Sequence, residues 1–273
     1  LTLQKKLIGI RHLALDLDGT LYLGGRLFEW TRPFLRRIAD LGVGRTFFTN
    51  NSSRSTRQYV KKLNDLGIEA SDSDIFSSTH CTLAYLREER PEIRKVFVLG
   101  TPALREEFVE NGYIEQEDPD AVVVGFDTSL TYDRVCRAAW WISKGKPFIA
   151  THPDRTCPTD EQTMLPDCAA MCAMLSSATG RQPDIVLGKP DPRMLRGVMQ
   201  RHGLRPDELA VVGDRIYTDM AMAHAAGAVS VLVLSGEATV DEAKQANPPP
   251  DLVVADVGEL GELLAANRGA ARC

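Results

Sequence analysis

Leu13-Ala14-Leu15-Asp16-Leu17-Asp18-Gly19-Thr20 reads as a buried strand that runs straight into two carboxylates and a sharp exit. A parallel strand covered on both faces is apolar nearly throughout. Ending one in acids is costly unless the charge is matched. Asp16 and Asp18, two residues apart, face the same way, and Gly19 permits the chain to turn away. Two readings stand at this point: a surface turn, for which Asp and Gly are common residues, or an acid pair facing the crevice at the carboxyl end of an open sheet.

This strand spans His12–Leu17, and seven further short apolar runs repeat its pattern: Arg45–Phe48, Lys95–Leu99, Ala121–Phe126, Pro147–Ala150, Leu209–Gly213, Val229–Leu234 and Leu252–Ala255. Helical patterns lie between them, several closed by glycine: Ser53–Leu66 before Gly67, Arg105–Asn111 before Gly112 and Tyr132–Lys144 before Gly145. The alternation predicts α/β layers around a largely parallel sheet. Polar strand ends of the Asp16 kind occur before about residue 80 and after about residue 185. The stretch Cys81–Asp184 has its own strand–helix rhythm. One α/β domain, 1–80 and 185–273, interrupted by a second at 81–184, is the organisation this predicts.

Composition sets the outer limits. The chain has 273 residues, 44% hydrophobic and 25% charged, with 32 Lys/Arg against 37 Asp/Glu for a net −5. These are values of an ordered globular chain, and at roughly 150 residues per domain the length allows one large domain or two modest ones. A mildly acidic chain without a basic run argues against nucleic acid or an anionic membrane as partner. No apolar run nears the ~20 residues of a membrane span, and LTLQKKLIGIRH lacks the apolar core of a secretory leader. Six cysteines without a CxxC pair fit reduced thiols. A cytoplasmic enzyme is the expectation. The acidity is unevenly spread: Cys81–Asp184 carries 11 Lys/Arg and 17 Asp/Glu, a net −6, leaving 21 against 20, a net +1, for the rest.

Three more polar clusters sit at strand ends. Phe47-Phe48-Thr49-Asn50-Asn51-Ser52-Ser53 enters a helical pattern, with Ser52 or Ser53 as a candidate N-cap. The same helix start offers backbone N–H groups to a phosphate, beside the Thr49 hydroxyl and Asn50. Gly188-Lys189-Pro190-Asp191-Pro192 holds a lysine between residues that restrict the backbone, and precedes the helical Arg193–His202; it reads as a fixed cation or as a solvated one. Val211-Val212-Gly213-Asp214-Arg215-Ile216-Tyr217-Thr218-Asp219 ends an apolar strand in Asp214, with Thr218 or Asp219 starting an alanine-rich helix. Asp219 reads as an N-cap, or with Asp16 and Asp214 as part of an oxygen donor set for a hard cation.

The order and spacing of DLDGT at 16–20, TNNSS at 49–53, Lys189 in GKP and GDRIYTD at 213–219 resemble the haloacid dehalogenase-like hydrolase superfamily. TNNSSRSTRQYVKKLNDLG and ATHPD…VLGKPDP are similar to its NagD-like, p-nitrophenyl phosphatase-like subfamily, over nearly the whole chain. The resemblance implies a Rossmann-like, doubly wound core with an inserted α/β cap, and a Mg²⁺-dependent phosphatase of small phosphate monoesters. It implies Asp16 as nucleophile forming an aspartyl-phosphate, and Asp18 as the acid that protonates the leaving oxygen and then the base that activates water. Mg²⁺ is implied between Asp16, the Asp18 carbonyl and Asp214, with Asp219 outside them. Thr49, Asn50, Asn51 and Lys189 are implied to hold phosphoryl oxygens, with backbone groups of Arg215–Thr218 near the substrate. Asp16, Asp18, Asp214 and Asp219 sum to −4, Lys189 brings −3, and a dication −1, so a phosphate dianion needs the metal. The second aspartate of the pair favours ester hydrolysis over dehalogenation. A phosphotransferase, or a non-catalytic phospho-metabolite-binding protein, is the alternative on the same residues.

Two segments depart from the subfamily pattern, Phe28-Glu29-Trp30-Thr31 and Leu165-Pro166-Asp167-Cys168-Ala169; both bear on substrate choice. The stretch His152–Met171 brings Asp154, Arg155, Asp167 and Cys168 as candidate leaving-group contacts or plain loop residues. His152, Cys157, Cys168 and Cys172 are too loosely spaced for zinc. Adjacent Trp140 and Trp141 cannot share a helix face, which predicts one against the inserted domain's sheet and one at a homodimer interface.

Overall fold

The computed structural model describes residues 2–159 and 161–270. A six-stranded sheet runs in the order Leu252–Val254, Val229–Val233, Leu209–Gly213, His12–Asp16, Gly44–Thr49, Ile75–Ser77. The strand pairs from Leu252–Val254 across to Gly44–Thr49 are parallel. His12–Asp16 is central and buried at every position. Chain order leaves it in opposite directions, towards Gly44–Thr49 on one side and Leu209–Gly213 on the other. That reversal is the switch point at which ligands of doubly wound sheets bind. A second sheet has the order Ile185–Val186, Phe148–Ala150, Ala121–Val124, Lys95–Leu99, Ile114–Glu115, again with parallel pairs. The helices Tyr132–Ser143 and Cys168–Thr179 bury Ala138, Ile142, Met171 and Leu175 against its Phe97, Leu99, Val122 and Phe148.

Proximity of Cα atoms divides the chain into two compact units, Leu1–Phe48 with Val60–Phe76 and Pro190–Cys273, and Thr49–Tyr59 with Ser77–Lys189. Thr49–Tyr59 thus travels with the inserted stretch, as does Lys189.

Each of the eight strands read from apolar runs is present, with ends shifted by at most two residues. The strands Ile75–Ser77, Ile114–Glu115 and Ile185–Val186 have two or three residues, too few to show a period. The opening stretch forms a helix, Leu3–Gly9, capped by the Thr2 hydroxyl. Trp141 packs on the second unit's core while Trp140 is exposed. Among the described residues five cysteines are free thiols, and no helix is long and apolar enough to cross a membrane.

Candidate active site

Asp16, Asp214 and Asp219 are all buried, and each places a carboxylate oxygen within 4.8 Å of the other two. Asp16 closes the central strand; Asp214 follows its neighbour Leu209–Gly213. Asp219 is returned to them by a π-turn, Ile216–Met220, in which the Met220 N–H reaches the Arg215 carbonyl at 3.3 Å. Such wide turns recur at functional sites. The turn corrects the reading of Asp219 or Thr218 as the start of the alanine-rich helix. That helix begins at Ala221, and Asp219 is not its cap. The buried Thr218 hydroxyl donates to Asp219 Oδ2 at 3.4 Å.

Glycines make this convergence possible. A Cβ on Gly213 would lie 2.3 Å from Asp219 Cγ, and one on Gly236 only 2.0 Å from Asp214 Oδ2. Gly19, at φ +86°, would bring a Cβ within 2.3 Å of the same oxygen. Asp214 Oδ2 also accepts the Glu237 N–H at 2.8 Å, and Ser235 Oγ donates to the Gly19 carbonyl at 2.7 Å. A buried set of oxygen donors with three negative charges suits a hard divalent cation.

Asp18 is held differently. Burial pushes its carboxyl above the usual range, against the pull of Lys62, the Gly24 N–H, the Tyr22 hydroxyl and Arg215. Lys62 Nζ lies 4.1 Å from the centre of the Tyr22 ring. A carboxyl biased towards its protonated form is suited to donate a proton. Arg215, read from sequence for its backbone, contributes its side chain. Burial disfavours its charge, but Tyr217, Asp16, Asp214 and Glu237 outweigh that and hold it well above the ordinary range. Its Nε lies 2.8 Å from Glu237. With Arg215 and Lys62 counted, the four aspartates of this unit, all ionised, would fall from −4 to −2, and a dication would make them neutral.

Thr49, Asn50, Asn51 and Lys189 form a second group. Thr49, at the end of the strand paired with His12–Asp16, is buried, and its Oγ1 accepts the Asn51 N–H at 3.1 Å. Asn51 folds its Oδ1 back onto the Ser53 N–H and hydroxyl, at 2.9 and 2.7 Å. The Asn50 carboxamide grips the Lys189 backbone on both sides, accepting from its N–H at 2.7 Å and donating to its carbonyl at 3.0 Å. Both asparagine side chains therefore hold neighbouring parts of the chain, Asn50 reaching Asp154 and Asn51 reaching Cys157 as well.

The helix after this loop starts at Thr56, two or three residues later than a Ser53 or Ser52 cap predicts. Ser55 caps it: Gln58 N donates to Ser55 Oγ and Ser55 N to Gln58 Oε1, a reciprocal box. Ser52 Oγ is engaged by the Phe126 N–H and Thr151 Oγ1. The N–H of Thr56 donates to the buried Glu107 carboxylate at 3.1 Å. The Thr56 N–H at the helix start is thus already taken by a carboxylate.

The candidate cap-loop contacts separate likewise. Asp167 and Cys168 are buried, and Asp167 caps the Cys168–Thr179 helix while taking the His152 Nε2–H at 2.8 Å. Arg155 is exposed and offers its carbonyl to Asp167 N. Asp154 accepts from Asn50 Nδ2 at 3.0 Å. His152, at the end of the Phe148–Ala150 strand, is fully buried. Burial opposes its charge, yet Cys168, Asp167 and Asp154 push it up to about 9.

A pKa raised from 6.5 stabilises the fold fully below pH 6.5 and ceases to do so as pH climbs through 9. Asp167→Asn keeps an acceptor for the helix but removes the charge facing His152. We expect it to lose about 2 kcal/mol of stability at pH 6, and much less at pH 10, in urea melts. An equal loss at both pH values would contradict the imidazolium–carboxylate pair.

Residues 13–114 match the haloacid dehalogenase-like hydrolase signature, and residues 186–260 a HAD-hydrolase-like one. The acid sugar phosphatase of Staphylococcus aureus is 30% identical over 247 residues, covering 90% of this chain and 94% of that protein. The chain belongs to the haloacid dehalogenase-like hydrolases. Its branch is the NagD-like, p-nitrophenyl phosphatase-like one. The 4-nitrophenylphosphatase of Thermotoga maritima superposes with a TM-score of 0.89 at 38% identity, over 94% of this chain and 98% of that one. The glycerol phosphate phosphatase of Mycobacterium tuberculosis, in complex with magnesium, gives 0.85 at 30% identity over 96% and 79%.

Proposed function

We propose that this protein is a Mg²⁺-dependent phosphatase that hydrolyses small phosphate monoesters, such as a sugar phosphate, through an aspartyl-phosphate on Asp16. The reading is carried by three buried carboxylates brought together, Asp16 and Asp214 at adjacent strand ends and Asp219 on the π-turn, within a family whose named relatives are phosphatases. Asp16 and Asp214, with the Asp18 carbonyl, are the residues that would hold Mg²⁺, with Asp219 outside them. The ion would supply positive charge to the phosphoryl oxygens and to the attacking carboxylate.

Asp16 attacks phosphorus and the ester P–O bond breaks. Asp18 gives its proton to the departing oxygen, then takes one from the water that displaces phosphate from Asp16. Lys189 and the Thr49 hydroxyl bind phosphoryl oxygens, with Asn50 and Asn51 setting their backbone. Arg215 moderates the charge beside Asp16 and Asp214, and Thr218 steadies Asp219. We further assign 1–80 and 185–273 to the catalytic core and 81–184 to an inserted cap that sets substrate choice.

Phosphate release from a panel of metabolite monoesters with Mg²⁺ tests the activity. Release from several small esters is the expected result, and release from none would overturn it. Adding an acceptor alcohol separates hydrolysis, which we expect to yield free phosphate, from phosphoryl transfer.

A further inference from the structure

We propose that Asp154, in the inserted stretch, is a positioning residue for the Lys189 ammonium and acts through the Asn50 carboxamide. The proposal rests on the reading of Lys189 as a phosphoryl-holding group.

Asn50 is buried, and its side chain makes three hydrogen bonds that depend on which way round the amide lies. Its Oδ1 meets the Lys189 N–H; its Nδ2 meets the Lys189 carbonyl and Asp154 Oδ1, each at 3.0 Å. Turned over, the amide would set oxygen against a carbonyl and a carboxylate, and N–H against N–H. Asp154 therefore fixes the orientation in which Asn50 grips Lys189. The lysine backbone has little other freedom. Gly188 before it stands at φ +73°, where a Cβ would lie 2.8 Å from Asn50 Oδ1 and 2.7 Å from His152 Cβ. Pro190 follows it and limits rotation on that side. A buried side chain leaving a backbone held this way starts from a fixed point.

Asp154 is itself anchored. Its carbonyl accepts the Ala169 N–H at 2.9 Å, and the Arg155 carbonyl accepts the Asp167 N–H at 2.9 Å. The nearby His152 has Thr151 Oγ1 at 2.8 Å from Nδ1 and Asp167 from Nε2. Ligand atoms of His152, Asp154 and Asp167 lie within 4.8 Å of one another, but both imidazole nitrogens are taken by these bonds. The cluster accordingly reads as a hydrogen-bonded support. It runs from the start of the Cys168–Thr179 helix through Asp154 and Asn50 to Lys189, within one compact unit. Residues of the inserted stretch thus help to organise phosphate binding as well as to choose the leaving group.

The test is a double-mutant cycle on the full chain with Mg²⁺. It reads kcat/KM for 4-nitrophenyl phosphate, and Kd for inorganic phosphate by calorimetry. Asp154→Ala is expected to lower kcat/KM about tenfold and to weaken phosphate by a similar factor. Asp154→Asn, which keeps an acceptor for Asn50, is expected to stay within about threefold of wild type. In a Lys189→Ala background the Asp154→Ala change should cost less than about twofold, because the group it positions is gone. An equal cost in both backgrounds, or Asp154→Asn as damaging as Asp154→Ala, would overturn the positioning role alone. Wild-type phosphate affinity and turnover in Lys189→Ala would overturn the reading of Lys189, and the proposal with it.

Discussion

Asp16→Asn is expected to abolish phosphate release, by at least about 10⁴-fold in kcat, with the fold intact. An amide cannot form the acyl-phosphate bond, and loss of a nucleophile is among the largest single-residue effects in enzymes that use one. The substitution is nearly isosteric at a buried strand end. It also removes one of three negative charges held within 4.8 Å. Like charges at that separation raise the cost of folding when no cation sits among them. The variant should therefore melt at or above the wild-type temperature in chelator while being inactive with Mg²⁺. Loss of activity together with a lower melting temperature in chelator would point to a misfolded strand end instead of lost chemistry.

Metal removal is the second large effect. EDTA should take turnover to background, and excess Mg²⁺ should restore it. The core acids stand at −2 even after Arg215 and Lys62 are counted, and a phosphate dianion would meet net repulsion there. Asp214 is fixed by the Glu237 N–H and by the space left at Gly236 and Gly19, so its carboxylate is not free to swing away when the charge is unmatched. Phosphoryl transfer depends mainly on positioning and charge stabilisation. Full activity in excess EDTA, checked with the same phosphate-release assay, would contradict the role given to Asp16, Asp214 and Asp219.

The carboxylates were legible in the sequence for a physical reason. A strand such as Leu13–Leu15 or Leu209–Val212 is buried on both faces, so an acid directly after it demands a partner, and Asp16 and Asp214 at strand ends of one sheet point to a cation. The parallel core followed from the same runs. The π-turn that returns Asp219 to Asp214 was not legible, since its residues carry no spacing that separates it from an ordinary helix start. Nor was the clamp of Asn50 on Lys189, which joins positions 139 residues apart. Ser55 and Gln58 have the spacing of a capping box, whereas Ser52 and Ser53 merely stand nearer the strand. His152 follows the apolar Phe148–Ala150 as Asp16 follows Leu13–Leu15, and the same rule marks it as a buried polar group in need of Asp167.

Burial also explains why the two departing segments took on structural work. Asp167 in one of them caps a helix and holds His152, and Thr31 in the other enters a helix with its hydroxyl on the Leu21 carbonyl at 2.6 Å. Asp167 and Cys168 are buried at the start of their helix, where the Asp167 carboxylate is engaged by His152 and by the Cys168 N–H.

The central claim is tested most directly by measuring phosphate release from 4-nitrophenyl phosphate, glycerol phosphate and a set of sugar phosphates by wild type and Asp16→Asn side by side, both with Mg²⁺. The account predicts release by the wild type from several of these esters and none above background by the variant. No release by the wild type, or equal release by the two, would contradict it.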